Sequence, residues 1–194
     1  MEFYLLRLII IKQLKNGLIA HYKAIAKSVT LPIILYNVPS RTGLNITPST
    51  CFELSKIDNI VAIKEASGNI SQVAEIANLC RDNFSIYSGN DDQILPILSL
   101  GGIGVISVLS NVMPNEVHNM VYDFLNGNTK KALESQLQTL DLISSLFCEV
   151  NPIPVKACLN MIGFNVGIPR LPLIEMSKQG KERLKKSLAN LNLI

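Results

Sequence analysis

No stretch of the sequence reaches the roughly 18 uninterrupted apolar residues that a membrane helix needs, which removes a spanning segment from consideration. The nearest candidate, the run from Leu5 to Lys12, is too short, carries Arg7 and has no small-residue cleavage site after it, so it does not read as a signal peptide either. The expected address is the cytoplasm. Charge of one sign is also scarce: 18 Lys and Arg against 15 Asp and Glu leave a net charge of +3, with no basic run interleaved with aromatics. That balance argues against a nucleic-acid partner, and the basic residues between 178 and 186 fit the solvated face of a last helix. The four cysteines, Cys51, Cys80, Cys148 and Cys158, form no C-x-x-C pair and have no histidine beside them. They read as small core residues in a reducing compartment. His21 and His118 each lack a partner at ligand spacing and are taken as structural or exposed. No G-x-G-x-x-G follows a strand and no P-loop occurs, so the dinucleotide- and nucleotide-binding versions of an open sheet have no support.

What the chain does have is apolar residues, 48% of 194, which is enough for a sizeable core in one large domain or one and a half small ones. Their spacing alternates between two periods. Leu18, Tyr22, Ile25, Ala26 and Val29 share a helical face; residues 31–38 form a β-rich run stopped by Pro39, and Pro39-Ser40-Arg41-Thr42-Gly43 reads as a loop. Thr47 is placed to cap a helix with Pro48 at its first position, running to residue 57. A strand ending at Lys64 follows, then a helix over 71–81, a strand over 84–88, a helix opened by Asp91 and Asp92, a strand over 104–109 and a helix over 114–125. The acidic pair suits the positive end of a helix dipole. Including the opening run, there are four or five strands of the continuous apolar kind found in parallel sheets, and the expected class is α/β. From Asn128 the strands stop, and 130–147, 153–162 and 175–191 read as helices. The expected domains are therefore an α/β part over 1–127 and a helical part over 128–194. Length leaves two architectures open: a closed (β/α)8 barrel takes about 250 residues, whereas an open doubly wound sheet could be complete here.

The stretch Ile60-Val61-Ala62-Ile63-Lys64-Glu65-Ala66-Ser67-Gly68-Asn69 organises the rest. It is a buried strand that ends on a lysine and turns into a helix. In water a lysine amine has a pKa of about 10.4 and is protonated; partial burial and a nearby cation lower it, and the neutral amine can then attack a carbonyl. A lone lysine here would ordinarily be a side chain snorkelling off a strand end. Its neighbours change that reading. Tyr36 and Asn37 close the preceding strand with Arg41 in its loop, and Gly89-Asn90-Asp91 closes the following one. A tyrosine can relay protons, an arginine can fork onto a carboxylate, and a glycine admits close backbone approach. Singly these would be a core tyrosine, a solvated cation and a turn. Together they lie at the C-terminal ends of successive parallel strands, where such folds build sites.

The motifs Tyr36-Asn37-Val38-Pro39-Ser40-Arg41-Thr42-Gly43, Ile63-Lys64-Glu65-Ala66-Ser67-Gly68-Asn69, Ser88-Gly89-Asn90-Asp91, Gly104-Val105-Ile106-Ser107-Val108 and Asn151-Pro152-Ile153-Pro154-Val155-Lys156 resemble the dihydrodipicolinate synthase family, in order and at family spacing from Gly17 onward. The resemblance implies the C-terminal portion of a (β/α)8 TIM barrel followed by a helical C-terminal domain, in a homo-oligomer that is usually a tetramer. It implies a lyase of lysine and diaminopimelate biosynthesis that condenses pyruvate with aspartate 4-semialdehyde and uses no metal or organic cofactor. By the same resemblance Lys64 forms the Schiff base and Tyr36 shuttles protons. Arg41 holds the carboxylate of the semialdehyde, and Gly89 and the Ile106 backbone line the pocket. Sister aldolases such as sialic acid lyase share the lysine and tyrosine but generally lack Ser-Arg-Thr-Gly; Arg41 therefore favours the synthase.

The chain departs from the family pattern at its start. The segment with Gly-Thr-Thr-Gly-Glu, whose threonines bind pyruvate in the family, does not occur, and neither does the family's Pro-Tyr-Tyr-Asn-Lys-Thr-Thr-Gln. A coding stretch for the latter, read one base out of register, gives Leu-Ile-Ile-Ile-Lys-Gln-Leu-Lys, the sequence from Leu8 to Lys15. The expectation is that residues 1–15 are an out-of-frame translation and that the frame is a remnant. Such a half barrel would expose strand edges, fold poorly or self-associate, and have little synthase activity.

Overall fold

The computed structural model describes residues 3–5, 15–80 and 84–194. Five strands form one sheet, β1 (Phe3–Leu5), β2 (Ile33–Asn37), β3 (Ile60–Glu65), β4 (Ser85–Ser88) and β5 (Gly104–Val105), in the order β1-β2-β3-β4-β5 and parallel throughout. The α/β class expected from the alternating periods is the class observed. Strand order follows chain order without a reversal, so these strands lack the topological switch point at which open doubly wound sheets bind ligands.

Right-handed crossovers between neighbouring parallel strands carry the connecting helices to one face of the sheet. Leu35, Ile63 and Ile86 stand in register on that face. They share an apolar cluster with Leu18 and Tyr22 of α1 (Lys15–Ser28), Cys51 and Leu54 of α3 (Pro48–Ser55), Val73 and Ile76 of α4 (Ile70–Leu79) and Ile97 of α5 (Ile94–Ser99). Because side chains alternate along a strand, the neighbours Tyr36, Lys64 and Tyr87 form a second row on the opposite face. An irregularity sets this phase: Ile33 pairs with Ile60 but Ile34 pairs with Ala62, so Val61 is an extra residue and β3 is bulged there. The bulge puts Ile60 and Ile63, three apart, into the same core.

Local chemistry fixes the helix starts. The Thr47 hydroxyl accepts from the Thr50 amide at 3.4 Å with Pro48 at the first helical position, as its sequence predicts. Asn69 caps α4 by accepting from the Gln72 amide at 3.1 Å. Three expectations are corrected. Residues 39–43 are not an open loop: Pro39, whose φ is already helical, starts a single turn, α2 (Pro39–Thr42), closed by Gly43 at φ +65°. Asp91 and Asp92 open a 3-10 turn (Asp91–Gln93) before α5 rather than the α-helix itself. The strand expected over 104–109 is two residues long, Gly104–Val105, and Leu109, expected in it, instead begins a 3-10 turn (Leu109–Asn111). Of the opening run from Leu5 to Lys12, Leu5 ends β1 and the remainder lies outside the described residues.

Contacts divide the chain into two compact units, residues 1–106 and 107–194; the boundary expected at 127/128 falls inside the second, at the Gly127 turn. The second unit holds α6 (Pro114–Leu125), α7 (Thr129–Leu146), α8 (Ile153–Met161) and α9 (Lys178–Asn190). Within it α7 packs on α6, α8 and α9, and a buried contact of 2.8 Å joins the Ser145 and Ser187 hydroxyls of α7 and α9. His118 is exposed and stacks on Tyr122, and His21 meets Tyr22 edge-on. Among the described residues no helix is long and apolar enough to cross a membrane.

Ile63 is fully buried at the centre of the cluster, so Ile63→Ala is expected to cost about 2–5 kcal/mol, whereas Thr47→Ala loses only a cap, about 1 kcal/mol. Urea unfolding monitored by circular dichroism checks the ranking; equal midpoint shifts would contradict the placement of Ile63.

Candidate active site

The adjacent residues Lys64 and Glu65 end β3 on opposite faces of the sheet, and their environments differ accordingly. Glu65 is buried, and a buried carboxylate costs several kcal/mol unless its oxygens are hydrogen-bonded. Here it accepts from Asn37 Nδ2 at 2.9 and 3.1 Å, from the Ser67 amide at 2.6 Å and from Gln72 Nε2 at 3.2 Å. Asn37 also donates to Asn45 Oδ1 at 2.8 Å and accepts from the Ile46 amide at 2.9 Å, while Asn45 donates to Gln72 Oε1 at 2.6 Å. One network therefore ties the end of β2, the end of β3, the segment after α2 and the first turn of α4.

On the other face Lys64 lies directly across from Tyr36, with Nζ 4.3 Å from the centre of the tyrosine ring. Both are half-buried. Burial lowers the Lys64 pKa from its ordinary 10.5; the Asp91 carboxylate opposes that shift and the Arg41 guanidinium adds to it. Tyr36 is pushed the other way, above 10.0, again mainly by burial, with Arg41 pulling it back. The result is an amine with an enlarged neutral fraction beside a phenol that keeps its proton. Arg41 reaches both from α2, the helical turn that follows β2 directly.

Gly89 sits beyond the end of β4 and donates its amide hydrogen to the Glu65 carbonyl at 2.7 Å. A Cβ at Gly89 would stand 2.7 Å from Ala66 Cβ and 3.0 Å from that carbonyl, so the glycine is required by the close approach of two strand ends. The Ile106 amide donates to the Ser88 carbonyl at 2.9 Å, prolonging the β4–β5 pairing by one bond. Lys64, Tyr36, Arg41, Gly89 and Ile106 thus all occur at or just beyond the C-terminal ends of β2 to β5.

Two further neighbours of Lys64 complete its surroundings: Asp91, which belongs to the Gly89-Asn90-Asp91 strand end already noted, and Tyr87, which the sequence reading passes over. Asp91, read as a helix-start residue, is buried and acts electrostatically on Lys64. Tyr87 pairs with Lys64 in register and stands in the same row, with Gly104 of β5 beside its ring. The alternation in Phe84-Ser85-Ile86-Tyr87 carried that signal: with Ile86 in the core, Tyr87 must face the other way. Among the described residues no three His, Cys, Asp or Glu side chains converge as a metal site. The arrangement offers a nucleophile, a proton donor and a cation for an anionic group, which suits carbonyl chemistry on an acid.

The model of the dihydrodipicolinate synthetase family matches residues 10–191. A 4-hydroxy-tetrahydrodipicolinate synthase of Caldicellulosiruptor saccharolyticus is 64% identical over 177 residues, 91% of this chain and 60% of that protein. One from Clostridium novyi is 55% identical over 181 residues, 93% of this chain and 61% of the relative. Among solved structures, the dihydrodipicolinate synthase of Thermotoga maritima superposes with a TM-score of 0.91 at 40% identity, over 94% of this chain and 63% of that one. The lysine-bound enzyme of Cyanidioschyzon merolae gives 0.91 at 41% identity, over 94% and 62%. The chain spans about 60% of the length of the curated relatives it matches.

The Lys64 amine is expected to titrate below 10.5, with Asp91→Asn lowering it further and Arg41→Gln raising it; acylation of Lys64 across pH, read by mass spectrometry, checks all three. A lysine whose folded pKa lies below its unfolded value makes the folded state bind fewer protons in that window. Stability from this group therefore rises as pH climbs through it, and Lys64→Met flattens the slope. Gly89→Ala is expected to cost about 1–3 kcal/mol by overpacking, measured as a lowered melting temperature.

Proposed function

The chain belongs to the dihydrodipicolinate synthetase family, and from that premise we propose that its chemistry is Schiff-base condensation of pyruvate with aspartate 4-semialdehyde, begun by Lys64. The observation that carries this reading is the half-buried Lys64 amine facing Tyr36, with Nζ 4.3 Å from the ring and the amine pKa depressed by burial. The neutral amine attacks C2 of pyruvate, and the carbinolamine loses water to give the imine. Tyr36, which keeps its proton, serves the proton transfers at that oxygen. The imine draws electrons from C3, which loses a proton to give the enamine. C3 then bonds to the aldehyde carbon of the semialdehyde, whose oxygen takes up a proton. The semialdehyde amine closes on C2 and expels the lysine, which returns unchanged. Arg41 receives the semialdehyde carboxylate, and Gly89 and Ile106 line the pocket.

The architecture proposed around this site is an arc of a (β/α)8 barrel with a helical domain after it. A chain-ordered parallel sheet with helices packed on one face and Tyr36, Lys64 and Tyr87 on the other supports that reading. Assembly as a homo-oligomer is proposed as well, supported by Leu133, Leu137 and Leu140, which are exposed at helical spacing on α7.

Reduction with borohydride in the presence of pyruvate, followed by intact mass and peptide mapping, is the test. The expected result is one adduct on Lys64 that is absent from Lys64→Met. Tyr36→Phe should slow its formation by about 10²–10⁴-fold. No adduct on protein that melts cooperatively would overturn the proposal in favour of a remnant without chemistry.

A further inference from the structure

The helical unit carries a cavity that the chemistry of Lys64 does not use. About 330 Å³ of space lies between α8, the segment 167–169 and the residues that lead into α9. Ile153, Met161, Ile168 and Met176 line it, together with two ammonium groups, Lys156 and Lys181. Its walls are fixed by the chain itself. The Asn160 side chain, near the end of α8, donates from Nδ2 to the Gly167 carbonyl and accepts from the Val166 amide, each at 3.0 Å. The segment that forms one wall is thereby tied back to the helix that forms another, with Gly167 at φ +69° making the turn. On the far side Met176 is buried directly before Ser177, whose hydroxyl caps α9 by accepting from the Gly180 amide at 3.0 Å. A preformed space of this size, apolar with a few polar groups, has the character of a small-molecule site.

Charge is uneven across the cavity. Glu175, which also lines it, pairs with Lys181 at 3.0 Å, so those two charges offset each other. Lys156 is half-buried and forms no ion pair among the described residues. The lining therefore holds one ammonium in excess, set among hydrocarbon.

We propose that this cavity binds a carboxylic acid with a short hydrocarbon tail, its carboxylate on the Lys156 ammonium and its tail against Ile153, Met161, Ile168 and Met176. The excess charge sets the head group. One carboxylate neutralises Lys156 through a charge-assisted hydrogen bond, a second negative charge would find Lys181 already paired, and a cation would be repelled. The lining sets the tail, because hydrocarbon leaves water for side chains of its own kind. At about 30 Å³ per water-sized group the space takes about ten non-hydrogen atoms, the size of octanoate. All of these residues belong to the second unit, and the proposal stands whether or not Lys64 forms an imine.

Titration calorimetry of the full chain with sodium octanoate, and separately with octylamine, is the test. Octanoate is expected to saturate one site, and octylamine to bind at least about tenfold more weakly, the increment of one charge-assisted hydrogen bond. Lys156→Met should remove that increment and Lys156→Arg should keep it. Ile168→Glu alters a side chain that is 65% exposed, leaves the core alone and sets a like charge at the rim, so octanoate binding should be lost. Octanoate should also slow acetylation of Lys156 by acetic anhydride while leaving Lys130, which is outside the cavity lining, unchanged. Octylamine binding as tightly as octanoate, octanoate binding unaffected by Ile168→Glu, or Lys156 acetylated at the same rate with and without octanoate would overturn the proposal. The first and last of these comparisons use the unaltered chain and decide even where a variant does not fold.

Discussion

The buried carboxylate of Glu65 is the constraint on which the arrangement depends. A charge at that depth is tolerable only because Asn37, Gln72 and the Ser67 amide supply donors from three different parts of the chain. Each donor is held in turn: Asn37 by Asn45 and the Ile46 amide, Gln72 by Asn45 and by its position three residues after the Asn69 cap. The ends of β2 and β3 cannot separate without stripping hydrogen bonds from a carboxylate. Since Tyr36 and Lys64 immediately precede Asn37 and Glu65, the same ties hold their backbones side by side and bring the amine over the ring.

The electrostatics of Lys64 are a contest with an identifiable winner. Contact with the tyrosine face and the Asp91 carboxylate both favour the ammonium form. Burial and the Arg41 charge favour the neutral amine, and burial is the largest influence, so the pKa falls. The site is thus a partly desolvated one with its opposing charge kept close: the amine is eased toward reactivity, and a cation remains within reach for an anionic substrate.

Much of this was legible in the residues themselves. The Thr47-Pro48 start of α3, the β-branched runs and the helical spacing of Leu18, Tyr22 and Ala26 are local signals that packing did not overrule. The position of Lys64 at a strand end and the grouping of Tyr36, Arg41 and Gly89 at neighbouring strand ends followed from the same periodicities. What stayed hidden depends on register or on contacts between distant residues. The bulge at Val61, which sets the facing of Lys64, exists only relative to β2. The charge of Asp91, grouped by sequence with its strand end, acts on Lys64 only once β3 and β4 lie side by side.

Gly89 also meets a structural requirement that its sequence context does not announce. In the sequence it marks a turn that lets backbone approach a ligand closely. In the fold the backbone that approaches belongs to Glu65, 3.0 Å from where a Cβ would sit. Whatever it offers a ligand, the glycine is required by this contact between strand ends. It lets the end of β4 close against β3, which sets the spacing of the strand ends and so brings the start of the Asp91 turn and its charge toward Lys64. A side chain at 89 would act on the lysine through that geometry. The residue types that point to a site in the sequence do so here because tight strand ends and a tuned amine have the same structural requirement.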